Sequence, residues 1–281
     1  MPQSVIDAGA WARDRLAGLP DRDAVSMPVT VGIGRSQPLP AGSLAPRSGN
    51  PRTPADDAEG VLRRSPLFDA LGDEDVPRLR RQMAEVKLSR GENLFNEGDE
   101  GDALYVVLEG KMKLTHAALH GRENLLSVIG PGEMFGELSL FDPRPRTATA
   151  SAVTDAVLAS LKHEALTAWL KERPEISLPL LRALAQRLRR ANDVMADLVL
   201  SDVPGRVAKN LLDLASRFGS AEADGLHVHH DLNQKELAQL VGSSRETVNK
   251  ALADFAARGW LQVSARSVLI LDAERLRKRA S

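Results

Sequence analysis

Cysteine is absent from the 281-residue chain. That excludes a disulfide framework, a thiolate zinc site, a cysteine-held iron–sulfur cluster and a cysteine nucleophile, and it suits a reducing cytosol. An excess of charge of one sign is absent too. With 37 basic and 38 acidic residues the formal net charge is -1, so any attraction for a polyanion has to come from a local patch. Long apolar runs are missing as well: the longest, such as 104–108 and 125–129, fall far short of the roughly 18 to 20 residues that span a bilayer. Asp7, Asp14, Asp21 and Asp23 interrupt the N-terminal stretch, which reads as neither export signal nor membrane anchor. The expectation is a cytoplasmic protein with no membrane partner.

What is present divides the chain. Residues 26–57 carry Pro28, Pro38, Pro40, Pro46, Pro51 and Pro54 among glycines and serines. Such a stretch cannot bury enough apolar surface to offset its ordering entropy, so residues 1–58 read as a flexible extension with one short helix near 10–16. Val61, Leu62, Leu67, Phe68, Leu71, Leu79 and Met83 then mark short helices. Between Val86 and Leu161 apolar residues alternate, and glycines recur at 91, 98, 101, 110, 121, 130 and 132. Period two broken by turn glycines predicts short antiparallel strands in a roll, over 59–173.

Past Pro174 the period changes. Leu181, Leu184, Leu188, Ala191, Met195 and Leu198 follow steps of three and four, a heptad seam on a helix over 174–202 that would pair with a second copy of itself. A helix packed on its own domain would show the same pattern. Residues 203–281 read as helices at 205–218, 234–241 and 244–258, then strands at 261–264 and 267–271, a winged helix-turn-helix.

Within it, Asn233 with Glu236, and Ser243 with Glu246, have capping-box spacing, and Gly242 supplies the turn between the two helices. Helical geometry puts Val248, Ala251, Leu252 and Phe255 on one face and Arg245, Glu246, Asn249 and Lys250 on the other, starting from Ser244. Arginine fits the paired acceptors of guanine, glutamate accepts from the cytosine amino group, and lysine serves a guanine or a phosphate. Lys235, Arg206, Lys209, Arg266 and the tail Arg275, Arg277, Lys278 and Arg279 are available for phosphates, which would make binding salt-sensitive. A solvated face is the bland alternative for such charges.

A second constellation lies at 135–149. Gly136 opens a short helical turn over 136–141, where an anion can approach bare backbone amides, with Arg146 to neutralise it and Thr147 to donate. Glu137 repels phosphate and makes sense beside a sugar hydroxyl. Taken alone, these pairs also suit an ordinary surface loop.

Residues 135–147 resemble the phosphate-binding cassette of cyclic-nucleotide-binding domains. Ser244, Arg245, Glu246, Thr247 and Val248 resemble the recognition helix of the cyclic-AMP receptor protein and FNR family, and residues 202–208 resemble its hinge. The likeness runs from about Val61 to Arg279 and is similar to the high-GC bacterial branch. It implies an α+β protein: an N-terminal β-roll (a double-stranded β-helix), a long dimerisation helix and a C-terminal winged helix-turn-helix. It further implies a homodimer that binds double-stranded promoter DNA with TGTGA-like half-sites, meets RNA polymerase, and takes cyclic AMP as allosteric ligand, with no metal and no enzymatic activity.

On the resemblance the backbone of Gly136 and Leu138 and the side chains of Arg146 and Thr147 hold the cyclic phosphate, Glu137 holds the ribose 2′-hydroxyl, and Ser139 belongs to the same ligand site. The adenine lies against Ala191 and Asn192, where the family usually has a threonine in place of Ala191. That departure opens the alternative of a ligand-independent or differently liganded DNA-binding regulator. Ligand is expected to extend the long helix through Asp202 and reorient the readers. A cupin-like metalloenzyme and a regulatory subunit without DNA contact are the rivals from other classes. His116 and His120 lie four apart, but Gly121 and the preceding strand suggest a hairpin and not a helix presenting both to one metal; for His227, His229 and His230 no carboxylate spacing completes a site, and the family's redox-sensing members need the cysteines missing here.

Overall fold

The computed structural model describes residues 54–281 apart from 69–70, 73–74, 118–122, 143 and 281. The expected extension up to residue 53, its short helix, and His120 lie outside the described residues.

Two helices, α1 (Pro54–Leu62) and α2 (Asp75–Arg81), precede eight strands: β1 (Ala84–Leu88), β2 (Asn93–Phe95), β3 (Ala103–Glu109), β4 (Met112–Ala117), β5 (Glu123–Ile129), β6 (Met134–Phe135), β7 (Thr149–Ala152) and β8 (Ala156–Lys162). They form two four-stranded antiparallel sheets, β1-β8-β3-β6 and β2-β7-β4-β5. The pleat explains the alternation seen in the sequence. On β3, Val107 and half-buried Tyr105 face the interior between the sheets with Met112, Leu114, Phe135 and Leu158, while Leu104, Val106 and Leu108 face outward. The outer side is covered, so β3 is buried on both faces: Leu62, Leu79, Leu166 and Trp169 from the flanking helices close over it. The short α3 (Leu138–Phe141) interrupts the roll and α4 (His163–Glu172) follows it.

A 3-10 turn (Pro174–Ile176) leads into α5 (Ser177–Leu200), 24 residues long. Its first two turns pack on its own roll through Pro179, Leu180 and half-buried Ala183, and Arg187 reaches back to the roll through its guanidinium. Elsewhere along it, Leu181, Leu188, Met195 and Leu198 are 50–63% exposed, Leu184 is half-buried, and Val199 and Leu200 stand 83% exposed. Packing on its own domain thus accounts for the early part of the helix and leaves most of the apolar stripe uncovered in one protomer. No described helix is long and apolar enough to cross a membrane.

Helix α5 does not continue through Asp202. Ser201 is extended, and the Asp202 carboxylate accepts from the Gly205 N–H at 2.9 Å as N-cap of α6 (Val203–Phe218), with Pro204 in its first turn. A cap and a proline at one junction favour starting a new helix over continuing the old. After α6 come β9 (Gly219–Glu222), β10 (Gly225–Val228), α7 (Gln234–Val241), α8 (Arg245–Ala257), β11 (Leu261–Val263), β12 (Val268–Ile270) and α9 (Ala273–Ala280). The strands make one sheet, β11-β12-β10-β9. The β9–β10 hairpin and α9 were not expected: the strands are short and mostly exposed, without clean alternation, and α9 is so rich in arginine that it reads as a tail. Buried Leu276 anchors α9 to the core that Val207, Leu211, Leu237, Val248 and Phe255 form.

Candidate ligand cavity and nucleic-acid interface

Strand β6 delivers Phe135 into the roll core, and Gly136 then turns the chain with φ +84°. A Cβ there would sit 2.8 Å from Arg146 Nη1 and 3.1 Å from the Ala103 carbonyl oxygen, so the turn requires glycine. The helical turn opens at Leu138, two residues later than expected. At four residues it sums few peptide dipoles, so backbone N–H groups and side chains carry any anion binding.

Arg146 is buried at 5% exposure. It donates to the Gly136 carbonyl at 2.9 Å, the Ala103 carbonyl at 2.7 Å and Ser139 Oγ at 3.4 Å, and its guanidinium lies 4.3 Å from the centre of the Phe95 ring. Burial lowers its pKa, with Tyr105 and several carboxylates acting the other way. Glu137 is fully buried: Oε1 accepts from Arg187 of α5, and Oε2 has no partner among the described residues. A buried carboxylate oxygen left open is costly unless something donates to it.

A cavity of about 830 Å³ opens over this turn. Its walls include Gly136, Leu138, Ser139, Arg146 and Thr147 from the roll and Arg187, Arg190 and Ala191 from α5. Of the expected ligand residues, Glu137 lies beneath that surface with its carboxylate on Arg187, and Asn192 is exposed on α5 and does not line the cavity within one protomer. Arg187, Arg190, Arg144 and Arg64 at the walls were not singled out from sequence. Arg187 had a signal, because it stands one helical turn before Ala191 on the same face.

The second site is built by α7 and α8. Asn233 Oδ1 accepts from the Lys235 and Glu236 N–H groups while Glu236 returns a bond to the Asn233 N–H at 2.8 Å, the expected capping box. Gly242 ends α7 in the left-handed region at φ +69°, and the Ser243 N–H goes back to the Ala238 carbonyl. That corrects the expectation for Ser243. It belongs to the turn, and the N-cap of α8 is Ser244, whose Oγ accepts from the Thr247 N–H at 3.1 Å. Val248, Ala251, Leu252 and Phe255 are buried. Arg245, Glu246 and Lys250 are exposed, Asn249 is half-buried, and neither these four nor exposed Lys235 has a side-chain partner among the described residues.

Exposed Arg266 of the wing turn has no side-chain partner among the described residues, but most of the other basic residues are spoken for. Arg206 spends its guanidinium on the carbonyls of Ser201, Val241 and Gly242, at 2.7 to 3.3 Å, and so ties the end of α5 to the α7–α8 turn instead of reaching outward. Lys209 pairs with Asp197 at 2.6 Å, Arg279 with Asp202 at 2.5 Å, Arg275 with Asp272, and Arg277 with Glu274. The basic tail is a helix folded onto α6.

The histidines scatter. His116 lies 2.9 Å from Glu97. His230 is buried, its Nδ1 accepts from the Leu232 N–H, and burial pushes its pKa down to about 4. His227 is 2.8 Å from Asp224, which raises its pKa. Carboxylates do reach it, contrary to expectation: the β9–β10 hairpin brings Glu222, Asp224 and His227 ligand atoms within 4.8 Å of one another, a grouping invisible in linear spacing because hairpin register creates it. Among the described residues this is the one such trio, and it lies outside the roll where a cupin-like metal centre would sit.

Comparison with known proteins covers both sites. The cyclic nucleotide-binding domain family matches residues 85–173 and the Crp-like helix-turn-helix domain family residues 205–279. The chain is 53% identical to the CRP-like cAMP-activated global transcriptional regulator of Mycobacterium tuberculosis over 78% of its own length and 98% of that protein. It is 35% identical to the cyclic AMP receptor protein of Thermus thermophilus over 75% and 95%. Among solved structures it resembles the c-di-GMP responsive global regulator CLP of Xanthomonas campestris, with a TM-score of 0.61, 25% identity and 71% and 99% of the two chains covered. With a cyclic-nucleotide-binding roll joined by a long helix to a DNA-reading winged helix, the chain belongs to the cyclic-AMP receptor protein and FNR family of transcription regulators.

Proposed function

We propose that this regulator is a homodimer that binds cyclic AMP between the β-roll and α5 and, when liganded, reads palindromic promoter DNA. The observation that carries the reading is a cavity walled on one side by the Arg146 turn and on the other by the uncovered helix. In such a place one molecule bridges two elements. Arg146, the Gly136 and Leu138 backbone, Ser139 and Thr147 suit the cyclic phosphate. The open Oε2 of Glu137 suits a ribose hydroxyl. Ala191 offers the base only apolar contact, and Asn192 of α5, exposed outside the cavity of its own protomer, would meet a ligand held by the second copy.

The apolar seam from Leu181 to Leu198 pairs the protomers. Two copies of α8 then face DNA about one helical turn, or a multiple of it, apart. Arg245, Glu246 and Lys250 match the residues that read TGTGA-like half-sites in the family, and Lys235 serves a phosphate. RNA polymerase is the further partner, and the cytoplasm the place of action.

A specific observation favours a second reading, in which the ligand is a differently charged cyclic nucleotide. Ala191 lacks the hydroxyl for an adenine amino group, and although Arg144 and Arg187 are paired with Asp142 and Glu137, Arg64 and Arg190 line the cavity beside Arg146 with no carboxylate partner among the described residues, more positive charge than one phosphate needs. Selecting bound fragments from a random DNA pool with and without cyclic AMP, alongside calorimetric titration of cyclic AMP, cyclic GMP and cyclic di-GMP, tests both. Enrichment of TGTGA palindromes that cyclic AMP strengthens is the expected outcome. Heat with cyclic di-GMP alone would establish the second reading, and no heat with any of the three would end the sensor claim.

A further inference from the structure

Strands β4 and β5 carry an outer face that is more than a solvated surface. Lys111 and Lys113, two apart, project from one side of the strand pair. Lys113 pairs in register with Val128, Leu114 with Ser127 and Thr115 with Leu125, so the ladder skips Leu126. That bulge shifts the phase of β5. Leu125 and Val128 share the outer face with the lysines, while Ser127 and Ile129 line the ligand cavity.

The DNA-reading half of the chain sits on that outer face. Lys113 Nζ lies 2.5 Å from Glu236 of α7, with both side chains under a quarter exposed. Lys111 meets the Asp231 carboxylate and donates to the His229 carbonyl at 2.7 Å. Gln239 of α7 donates to the Glu123 carbonyl at 2.6 Å. Leu125, Val128 and Val153 close over Leu232, with Phe218 and Leu240 at the margin. Asp231 is the only non-glycine residue at positive φ among the described residues, at 60°, and its N–H goes to the Arg266 carbonyl of the wing turn. Strain of this kind persists where surrounding contacts over-determine it.

The docked α7 leaves the reading face free, since Arg245, Glu246, Lys250 and Lys235 all remain exposed. We propose that Lys111 and Lys113 are positioning residues for DNA reading: they seat α7 on the back of the strand whose front meets the ligand. The recognition helix is thereby held at a set place relative to the cavity, a second mechanical route beside α5. This rests on the DNA-binding and ligand-binding reading above. Preorganised placement strengthens binding by lowering what must be ordered on contact.

The test is a double-variant cycle. Lys113→Glu is expected to weaken ligand-dependent binding of a selected palindrome by about tenfold or more, and the double variant Lys113→Gln with Glu236→Gln to lose no more than about threefold beyond Glu236→Gln alone. Glu236→Gln keeps the capping box and loses the charge, so it separates seating from helix stability. It too is expected to weaken DNA binding, while cyclic AMP binding by calorimetry and the unfolding midpoint stay near wild type. DNA affinity unchanged in Lys113→Glu and Glu236→Gln would overturn the proposal, as would a double variant whose losses simply add. Wild-type protein that binds the ligand but no DNA would instead overturn the reading beneath it, and the seating role with it.

Discussion

Replacing Glu137 by glutamine separates binding from folding at one atom. The carboxylate is fully buried, with Oε1 on Arg187 and Oε2 unpartnered. If Oε2 accepts a sugar hydroxyl, the substitution removes a hydrogen bond to a charged acceptor, a class worth about 1.5 to 3 kcal/mol, so the affinity for cyclic AMP should fall roughly 10- to 150-fold. Folding should respond differently. A buried carboxylate with an open oxygen bears a desolvation cost that a neutral amide largely avoids, and Arg187 is 37% exposed and keeps access to water. Unfolding free energy in urea should therefore stay within about 1 kcal/mol of wild type or rise. Calorimetry measures the first quantity and denaturant titration the second, on the same preparation. Unchanged affinity, or a loss of stability that accounts for the loss of affinity, would refute the assignment of Glu137 to the ligand.

Replacing Leu188 by glutamate puts a charge on the most exposed leucine of the expected seam, and sedimentation equilibrium should show the dimer shifting toward protomers. Arg245→Ala should relax guanine preference at one half-site position by roughly 1 to 3 kcal/mol in a binding assay over single-base variants. His230 makes a pH prediction. Its folded pKa of about 4 lies below the ordinary 6.5, so the unfolded chain binds the extra proton between those values and stability is lost as pH falls from 6.5 toward 4. The loss approaches about 3 kcal/mol, and a His230→Gln variant should show a flatter pH profile in urea unfolding.

How much was legible depends on the range of the contacts. Local rules carried the α7–α8 unit, because caps, a left-handed glycine and a helical face are set within four residues. The same rules misassigned Ser243 because two serines stand side by side, and only the backbone angles say which one precedes the first helical residue. Arg206, Lys209 and Arg279 looked like free cations, yet all but one of their partners are 12 to 77 residues away in sequence and invisible to any short window.

The amino-acid order by itself determined the strand-and-turn rhythm of the roll, the apolar stripe of α5, the Gly136–Thr147 turn and the outward row Arg245, Glu246 and Lys250, because periodicity and capping are properties of neighbouring residues. Tertiary structure alone decided that Arg187 meets Glu137, that Ala191 walls the cavity while Asn192 does not, and that α7 rests on Lys111 and Lys113. Those outcomes depend on a bulge, a chain reversal and a domain seat, where distant groups become neighbours only after the strands have chosen their register.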